Sequence, residues 1–197
     1  GTGPGEGFSM RLLLQRARRG SVAVDGETVA AIGPGLVVLA GFGPRDTDAL
    51  PAEPRWAGMI DKLLDLRVFP DDAGKMNVGL REWPVPSDMR GAGKVGANSG
   101  GSLDEPLGGL LLVPQFTLHA DCRKGRRPSF STAAPPAVAA RLFDQLAADI
   151  DARLPGRIRC GIFAADMDVS LVNWGPVTIW LSDDDLFPER RQPHGGG

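Results

Sequence analysis

The sequence predicts a single-domain α/β protein of the mixed α+β kind, with a curved, largely antiparallel sheet or partial barrel. Three observations predict this fold. Apolar runs of strand length outnumber helical stretches, an Asp25-Gly26 pair separates two of these runs, and two stretches repeat apolar residues at helical spacing. Two helices are enough to cover one face of such a sheet. The 197 residues fit one domain with a substantial core.

The predicted strands are short apolar runs bounded mainly by glycine, proline and aspartate. Asp25-Gly26 is a strong signal for a two-residue hairpin turn between the second and third runs. The predicted strands are residues 12–15, 21–24, 28–32, 36–40, 66–69, 110–113, 158–163, 169–172 and 177–181.

Two main helices are predicted from apolar residues that recur at helical spacing. The first begins near Pro54, and the second follows Pro135-Pro136 and ends before Pro155-Gly156. The apolar stripes are Trp56, Met59, Ile60, Leu63 and Leu64 in the first helix, and Ala139, Leu142, Phe143, Leu146 and Ile150 in the second.

The folded domain is expected to span residues 10–182. Residues 1–9 are expected to be an expression remnant or a disordered extension, and residues 183–197 a flexible C-terminal tail. Between about 83 and 109 the composition shifts to Pro, Gly, Ser and Asn with few apolar residues. We therefore expect a loop insertion in this range rather than a second domain.

The composition argues against several classes of protein. Hydrophobic residues make up 42% and charged residues 23%, and no apolar run is long enough to cross a bilayer. We therefore expect no membrane partner, and two cysteines without a disulfide framework favour a reducing cytoplasm. The net charge of −2 argues against a generally basic nucleic-acid-binding surface. One local basic cluster indicates either a phosphate-binding surface or a solvated face; it consists of Arg123, Lys124, Arg126 and Arg127.

Few side chains are candidates for a nucleophile or a metal site. The two cysteines, Cys122 and Cys160, make no disulfide framework, and the two histidines leave little room for a histidine triad or a zinc site. No metal or organic cofactor is therefore expected. Cys122 follows His119 closely, but a passive thiol is favoured over a nucleophile. Thr117 has no obvious base beside it, which favours a structural role.

The segment Asn-Trp-Gly-Pro-Val-Thr at 173–178 interrupts an otherwise apolar stretch. Proline removes a backbone donor, and glycine lets another molecule approach the backbone closely. An X-Pro bond is also the one common place for a cis peptide. Taken alone, Gly175-Pro176 predicts a tight turn between two antiparallel strands.

Several segments in this order resemble the D-aminoacyl-tRNA deacylase family, also known as the D-tyrosyl-tRNA deacylases. The resemblance runs from Met10 to about Leu181, except for the loop insertion. The segments are Leu-Gln-Arg at 14–16, Gly-Lys-Met-Asn at 74–77, Pro-Gln-Phe-Thr-Leu at 114–118, Gly-Arg-Arg-Pro-Ser-Phe-Ser at 125–131, Gly-Ile-Phe-Ala-Ala-Asp-Met at 161–167, and Asn-Trp-Gly-Pro-Val-Thr at 173–178.

This resemblance implies a homodimeric editing enzyme without a cofactor. The enzyme would hydrolyse the ester that joins a D-amino acid, or glycine mischarged on alanine tRNA, to the terminal adenosine at the tRNA 3′ end. Gly175 and Pro176 would form a cis pair, braced by Arg16, that enters the partner subunit's pocket and excludes L side chains. The pocket floor would be Pro114, Gln115, Phe116 and Thr117, and the adenine would lie at Ala139, Phe163 and Met167.

The resemblance also implies how the ester is cleaved without a catalytic histidine. Amides of Phe116 and Thr117 would stabilise the oxyanion, Thr117 would act in positioning, and the tRNA 2′-hydroxyl would help to place the water. Pro114 stands where the family has serine, as in a related animal deacylase that removes L-alanine. Two alternatives therefore stay open: that L-alanine specificity, or a non-catalytic protein that binds the tRNA end.

Overall fold

The structure, a computed structural model, describes residues 10–83, 105–106 and 108–188. The strands are β1 (Arg11–Val24), β2 (Glu27–Ile32), β3 (Gly35–Gly41), β4 (Phe69–Pro70), β5 (Met76–Val78), β6 (Gly109–Pro114), β7 (Ile158–Cys160) and β8 (Asp168–Ser182). The helices are α1 (Pro54–Asp65), α2 (Pro136–Arg153) and α3 (Asp183–Leu186), and two short 3-10 turns span Leu50–Ala52 and Phe116–His119.

The main sheet has six strands and is organised around β1. One edge of β1 pairs antiparallel with β3 and then with β2, while the other edge pairs antiparallel with β8 over almost its full length. On the far side of β3, β6 and β7 add in parallel. The strand order is β2-β1-β3-β6-β7, with β8 on β1, and β4 and β5 form a separate ribbon. The predicted mixed, largely antiparallel sheet is thus confirmed.

The hairpin between β1 and β2 forms where the sequence predicts it. Asp25 and Gly26 have φ angles of 51° and 81°, as a two-residue hairpin turn with the right twist requires. Aspartate tolerates this left-handed conformation and glycine adopts it without steric cost. The pairing of Val24 with Glu27 closes the turn.

The predicted strand boundaries are wrong at four places. The runs 12–15 and 21–24 belong to the single strand β1, and 169–172 and 177–181 belong to β8, because pairing between these two long strands continues past the polar residues. In the run 66–69 only Phe69 is in a strand, since the Leu66 amide caps α1 by donating to the Lys62 carbonyl at 3.1 Å. β7 ends at Cys160 rather than at residue 163.

The two predicted helices are confirmed, and both predicted apolar stripes are buried. They pack with alternate residues of the sheet, such as Leu36 and Val38 of β3, in one core cluster. The intervening Val37 faces a smaller cluster, because successive strand residues point to opposite faces. Trp56 of α1 donates its indole N–H to an Asp149 carboxylate oxygen of α2 at 2.7 Å, which joins the two helices.

The chain stays folded beyond residue 182, where the sequence predicted a tail. Residues 183–186 form α3, and Asp183 is buried and paired with Arg55 of α1. The predicted extension 1–9, most of the insertion 83–109, and residues 189–197 lie outside the described residues. At the start of that insertion, Trp83 stacks on Phe69 with ring centroids 4.3 Å apart. No helix in the described part of the chain is long and apolar enough to cross a membrane.

Candidate active site

The predicted floor motif lies where β6 ends and the chain tightens into the 3-10 turn Phe116–His119. The Gln115 amide donates to the Ala40 carbonyl at 2.8 Å, which ties the start of this turn to the end of β3. Phe116 is 54% exposed although it is a large apolar residue. A turn that holds an aromatic side chain against solvent in this way is available to a ligand.

Three contacts fix the position of this turn. Arg11 donates from Nη1 to the Leu118 carbonyl at 2.7 Å, and Thr132 donates from Oγ1 to the His119 carbonyl at 2.5 Å. Gly41 provides the space for the turn, since a Cβ there would lie 2.8 Å from the Gln115 carbonyl oxygen. Sequence reasoning missed all three anchors, because each joins segments that are distant along the chain.

A pocket of about 470 Å³ opens beside this turn. It brings together six of the predicted site residues, which are Pro114, Gln115, Phe116, Ala139, Phe163 and Met167. The other lining residues are Val113, Phe130, Ala133, Ala134, Pro136, Ala164, Ala165 and Val169. Gln115 is the single lining residue with a polar side chain, so the pocket suits a flat, weakly polar group that is held mainly by contact.

Phe130 is a lining residue that sequence reasoning did not assign. Its ring meets that of Phe116 edge to face, with centroids 4.9 Å apart. Its position in the motif 125–131 could have indicated this role, because Phe130 is the aromatic residue in a loop otherwise rich in polar side chains. Ala134 contacts the same region from the loop before α2, where its amide donates to the Phe42 carbonyl at 2.9 Å.

The far wall is the loop between β7 and β8. Gly161 leaves room for Met167, since a Cβ at Gly161 would lie 2.9 Å from the Met167 sulfur. The loop then turns through Ala164, whose φ is 63°, and this conformation returns Met167 towards Gly161. Phe163 and Met167 therefore face the pocket from two sides of one tight loop.

The Gly175-Pro176 pair does not lie in this pocket. Gln15 pairs with Thr178 and Ala17 with Asn173, so residues 174–177 bulge outward opposite the single residue Arg16. The predicted tight turn between two antiparallel strands is wrong, because both flanks pair with β1 as parts of one strand. The Gly175–Pro176 peptide bond is cis, and both residues are exposed. We call residues 174–177 the bulge loop.

Two side chains hold the bulge loop at its base. Arg16, only 7% exposed, donates from Nε to the Trp174 carbonyl at 2.8 Å and from Nη1 to the Val68 carbonyl at 2.6 Å. Burial, together with the nearby charge of Arg18, lowers the pKa of Arg16 from its usual value. Asn173 closes the loop by accepting a hydrogen bond from the Val177 amide at 2.7 Å.

The candidate nucleophiles are not supported by an activating base. Thr117 is exposed, does not line the pocket, and its hydroxyl accepts a short hydrogen bond from the Gln115 side-chain amide. His119 is 2% exposed, and burial with the charge of Arg11 lowers its pKa to about 4. A buried, uncharged imidazole of such low basicity does not activate the exposed thiol of Cys122.

The basic cluster lies on an exposed loop that leads to the pocket. Arg123 is paired with Asp121 at 2.8 Å, which holds the pKa of that carboxyl far below its usual range. Asp121 and Ser129 bridge the two ends of the loop through backbone bonds of 2.7 and 2.9 Å. Lys124, Arg126 and Arg127 are exposed in this loop, and Phe130, which directly follows its closing bridge, lines the pocket.

Within the ranges 10–83, 105–106 and 108–188, no group of three His, Cys, Asp or Glu side chains could hold a metal ion.

Comparison with known proteins gives consistent matches. The family model described as D-Tyr-tRNA(Tyr) deacylase matches residues 13–86 and 91–182. A D-aminoacyl-tRNA deacylase of Nitratidesulfovibrio vulgaris (strain DP4) is 53% identical over 180 residues, covering 91% of this chain and 97% of that protein. Another, of Xanthomonas campestris pv. campestris (strain 8004), is 46% identical over 172 residues, covering 87% and 99%.

Two solved structures have the same fold. The c-Myc DNA Unwinding Element Binding Protein is 32% identical, with a TM-score of 0.68 over 87% of this chain and 97% of its own. A probable eukaryotic D-amino acid tRNA deacylase has a TM-score of 0.64 over 88% and 99%, at 18% identity, and supports the fold alone. By its family model, its relatives and its ordered motifs, the chain belongs to the D-aminoacyl-tRNA deacylase family.

Proposed function

We propose that this protein hydrolyses the ester bond of D-aminoacyl-tRNA and releases the D-amino acid and the tRNA. The observation that carries the proposal is the apolar pocket beside the exposed Phe116-Thr117 turn. Its volume of about 470 Å³ is in the range that holds a nucleoside-sized ligand. The family membership supports the same reaction.

The terminal adenosine would bind in the apolar part of the pocket. Phe163 and Met167 on one wall and Ala139 on α2 provide the flat contact surface. Aromatic and thioether groups pack well on a base, and the absence of charge among the lining side chains suits a neutral ring. The ester would then extend from the ribose towards Phe116 and Thr117.

Hydrolysis would proceed by attack of water on the ester carbonyl carbon. The first amides of a helical turn have no carbonyl partner within it, so those of Phe116 and Thr117 are placed to stabilise the developing oxyanion. The carbon–oxygen bond to the ribose breaks, the carbonyl carbon keeps the water's hydroxyl, and the ribose oxygen takes a proton. The neighbouring 2′-hydroxyl of the tRNA would orient the attacking water. The substrate has to supply this group, because no titratable side chain among the described residues lines the pocket.

Selection against L-aminoacyl-tRNA would come from the bulge loop of a second subunit. Gly175 and Pro176 project from the sheet but do not line the pocket of their own chain, so a homodimer is the arrangement that unites them with a pocket. Their carbonyls would bind the substrate's amino group and leave no room for an L side chain. Glycine has no side chain to exclude, so glycyl-tRNA formed on alanine tRNA would also be cleaved.

The basic loop would contact the tRNA backbone in the cytoplasm, where aminoacyl-tRNA is used. Arg123, Lys124, Arg126 and Arg127 are exposed in the loop that precedes the pocket residue Phe130. Contacts between such side chains and phosphates position a nucleic acid without reading its sequence.

Incubation with D-tyrosyl-tRNA and L-tyrosyl-tRNA tests the function. We expect rapid release of D-tyrosine and no release of L-tyrosine above the spontaneous rate. Ala139→Leu, which fills the pocket, should lose this activity, whereas Ala140→Leu on the same helix is the matched control outside the pocket.

Three outcomes would contradict the proposed function. Equal hydrolysis of both tyrosyl-tRNAs would show that the protein does not select between D- and L-aminoacyl-tRNA. Cleavage of L-alanyl-tRNA in preference to D-tyrosyl-tRNA would instead support the specificity of the animal relative. Salt-sensitive tRNA binding without any hydrolysis would support a protein that only binds the tRNA end.

A further inference from the structure

Trp174, the first residue of the bulge loop, has no role in the chemistry proposed above, yet four side chains surround its ring. The guanidinium carbons of Arg16 and Arg18 lie 4.4 and 4.5 Å from the ring centroid. Trp83 approaches at a centroid distance of 5.9 Å and Phe69 at 6.4 Å. The ring is thus enclosed by two cations and two aromatic side chains.

This arrangement brings two arginines of β1 to one indole ring. Arg16 and Arg18 are two residues apart, where the pairing of β1 with β8 is irregular, and both guanidinium groups lie over the Trp174 ring. Their like charges repel, and the charge of Arg18 adds to burial in lowering the pKa of Arg16. The electron-rich face of an indole is the side chain that best offsets this repulsion. Trp174 therefore stabilises a pair of arginines that would otherwise move apart.

The same contacts fix the backbone just before Gly175. The Trp174 carbonyl accepts the Arg16 hydrogen bond at 2.8 Å, while the Trp174 ring packs on the same guanidinium. Gly175 lies directly against this group, since a Cβ built on it would be 2.9 Å from Arg16 Nη2. A displacement of Arg16 is consequently transmitted to Gly175 without an intervening residue.

We propose that Trp174 and Arg18 are positioning residues that set how strictly the site rejects L-aminoacyl-tRNA. This inference rests on the proposed function, in which Gly175 and Pro176 exclude the L side chain by steric clash. A clash discriminates only while the clashing group cannot yield, and a shift of about 1 Å is enough to admit a methyl group or to misalign a substrate. Hydrolysis of D-aminoacyl-tRNA depends on the pocket and the Phe116-Thr117 amides, so loosening the bulge loop should affect it less.

The test compares kcat/KM for D-tyrosyl-tRNA and L-tyrosyl-tRNA in matched variants. The wild-type D-to-L ratio is bounded from below by the spontaneous rate on L-tyrosyl-tRNA. For Trp174→Ala we expect the ratio to fall about tenfold or more below that bound, with kcat on the D substrate changed by less than about threefold. Trp174→Phe keeps an aromatic face and should recover most of the ratio. Arg18→Ala should lower the ratio, whereas Arg19→Ala, a substitution of the neighbouring exposed arginine, should leave it unchanged.

Hydrogen exchange of the bulge-loop amides gives a readout that is independent of activity. The Val177 amide, which donates to Asn173 Oδ1 at 2.7 Å, should exchange faster in Trp174→Ala and in Arg18→Ala but not in Arg19→Ala. If Trp174→Ala fails to fold, as circular dichroism would report, Trp174→Phe and the two arginine variants still decide the outcome.

The result that overturns the inference is distinct from failure of the proposed function. A wild-type protein that selects D over L, together with Trp174→Ala and Arg18→Ala variants of unchanged ratio, refutes the positioning role alone. An equal loss of D and L hydrolysis in an intact Trp174→Ala fold also refutes it, because that result indicates general support of the site. A wild-type protein without D-tyrosyl-tRNA hydrolysis overturns both.

Discussion

Thr117 lies in the 3-10 turn beside the pocket, and its hydroxyl accepts a hydrogen bond from the Gln115 side-chain amide. The amide N–H that this hydroxyl contacts is a donor and cannot remove its proton, so this contact does not activate Thr117 as a nucleophile. In the proposed mechanism Thr117 acts through its backbone amide, which a substitution of the side chain does not remove. We therefore propose that main-chain groups carry the chemistry of the floor motif.

We expect Thr117→Ala to keep substantial activity on D-tyrosyl-tRNA, with a single-turnover rate lowered by less than about tenfold. Thr117→Val, which keeps the branched shape but not the hydroxyl, should behave similarly. Complete loss of hydrolysis in a folded Thr117→Ala protein would contradict the main-chain assignment and return Thr117 to the position of nucleophile.

His119 illustrates a second residue-scale effect, since burial holds it uncharged and lowers its pKa to about 4. In the unfolded chain its pKa is near 6.5, so the unfolded state binds more protons between those values. The free energy of unfolding should accordingly fall as the pH drops from about 6.5 to about 4, by up to about 3 kcal/mol from this residue.

Urea denaturation of wild type and His119→Gln at pH 7, 5 and 4 measures this contribution. We expect the wild type to lose more stability on acidification than the variant. Asp46 acts in the opposite sense, because burial raises its pKa to about 6 and its folded form is stabilised by protonation as the pH falls. The Asp46 contribution is the same in wild type and variant. If their free energies of unfolding change in parallel with pH, His119 contributes nothing to the pH dependence.

At the scale of elements, a buried ion cluster joins α1, α3 and the loop after β3. Arg55 of α1 contacts Asp46 at 3.2 Å and donates to Asp183, the first residue of α3. Asp46 also accepts the Gly43 amide at 2.7 Å, which closes its own loop. Since both carboxylates are buried, they depend on this cation to remain charged.

Arg55→Met should lower the free energy of unfolding by about 3–5 kcal/mol, because it leaves two buried carboxylates without their cation. Chemical denaturation measures this loss. The matched control is Arg141→Met, which breaks an exposed pair with Asp48 at 2.8 Å and should leave the free energy of unfolding nearly unchanged, because water screens that pair. Similar losses of unfolding free energy for both substitutions would show that the buried cluster stabilises the fold no more than an exposed ion pair does.

At the scale of the whole molecule, the pocket and the bulge loop lie apart on one chain, so the proposed site would be complete only when two subunits combine. The two parts can be inactivated separately. Ala139→Leu should fill the pocket. Gly175→Ala should distort the bulge loop, because Gly175 has a φ of 138° and an added Cβ would lie 2.9 Å from Arg16 Nη2.

A mixed dimer of these two variants, purified through two different tags, tests the composite site. The intact pocket of the Gly175→Ala chain would meet the intact loop of the Ala139→Leu chain, so one of two sites per dimer is complete. We expect about half of the wild-type hydrolysis of D-tyrosyl-tRNA and no hydrolysis of L-tyrosyl-tRNA. A mixed dimer that is unselective or inactive, or a protein that is monomeric in solution, would contradict the cross-subunit arrangement.

Local sequence was sufficient for the features that are set by neighbouring residues. Asp25-Gly26 determined the first hairpin because few other residues adopt two successive positive φ angles. The apolar spacing of α1 and α2 determined which face of each helix is buried. The ordered motifs were enough to identify the family, and six of the predicted site residues do line one pocket.

Only the tertiary structure decided what depends on distant partners. β1 and β8 continue through polar and Gly-Pro residues because each supplies the other's hydrogen-bonding partners along its length. α3 is held where a tail was predicted, since Arg55 pairs with Asp183 from a helix 128 residues earlier. The position of Gly175 outside its own pocket follows from strand register, and register is fixed by pairing across the sheet rather than by any local pattern.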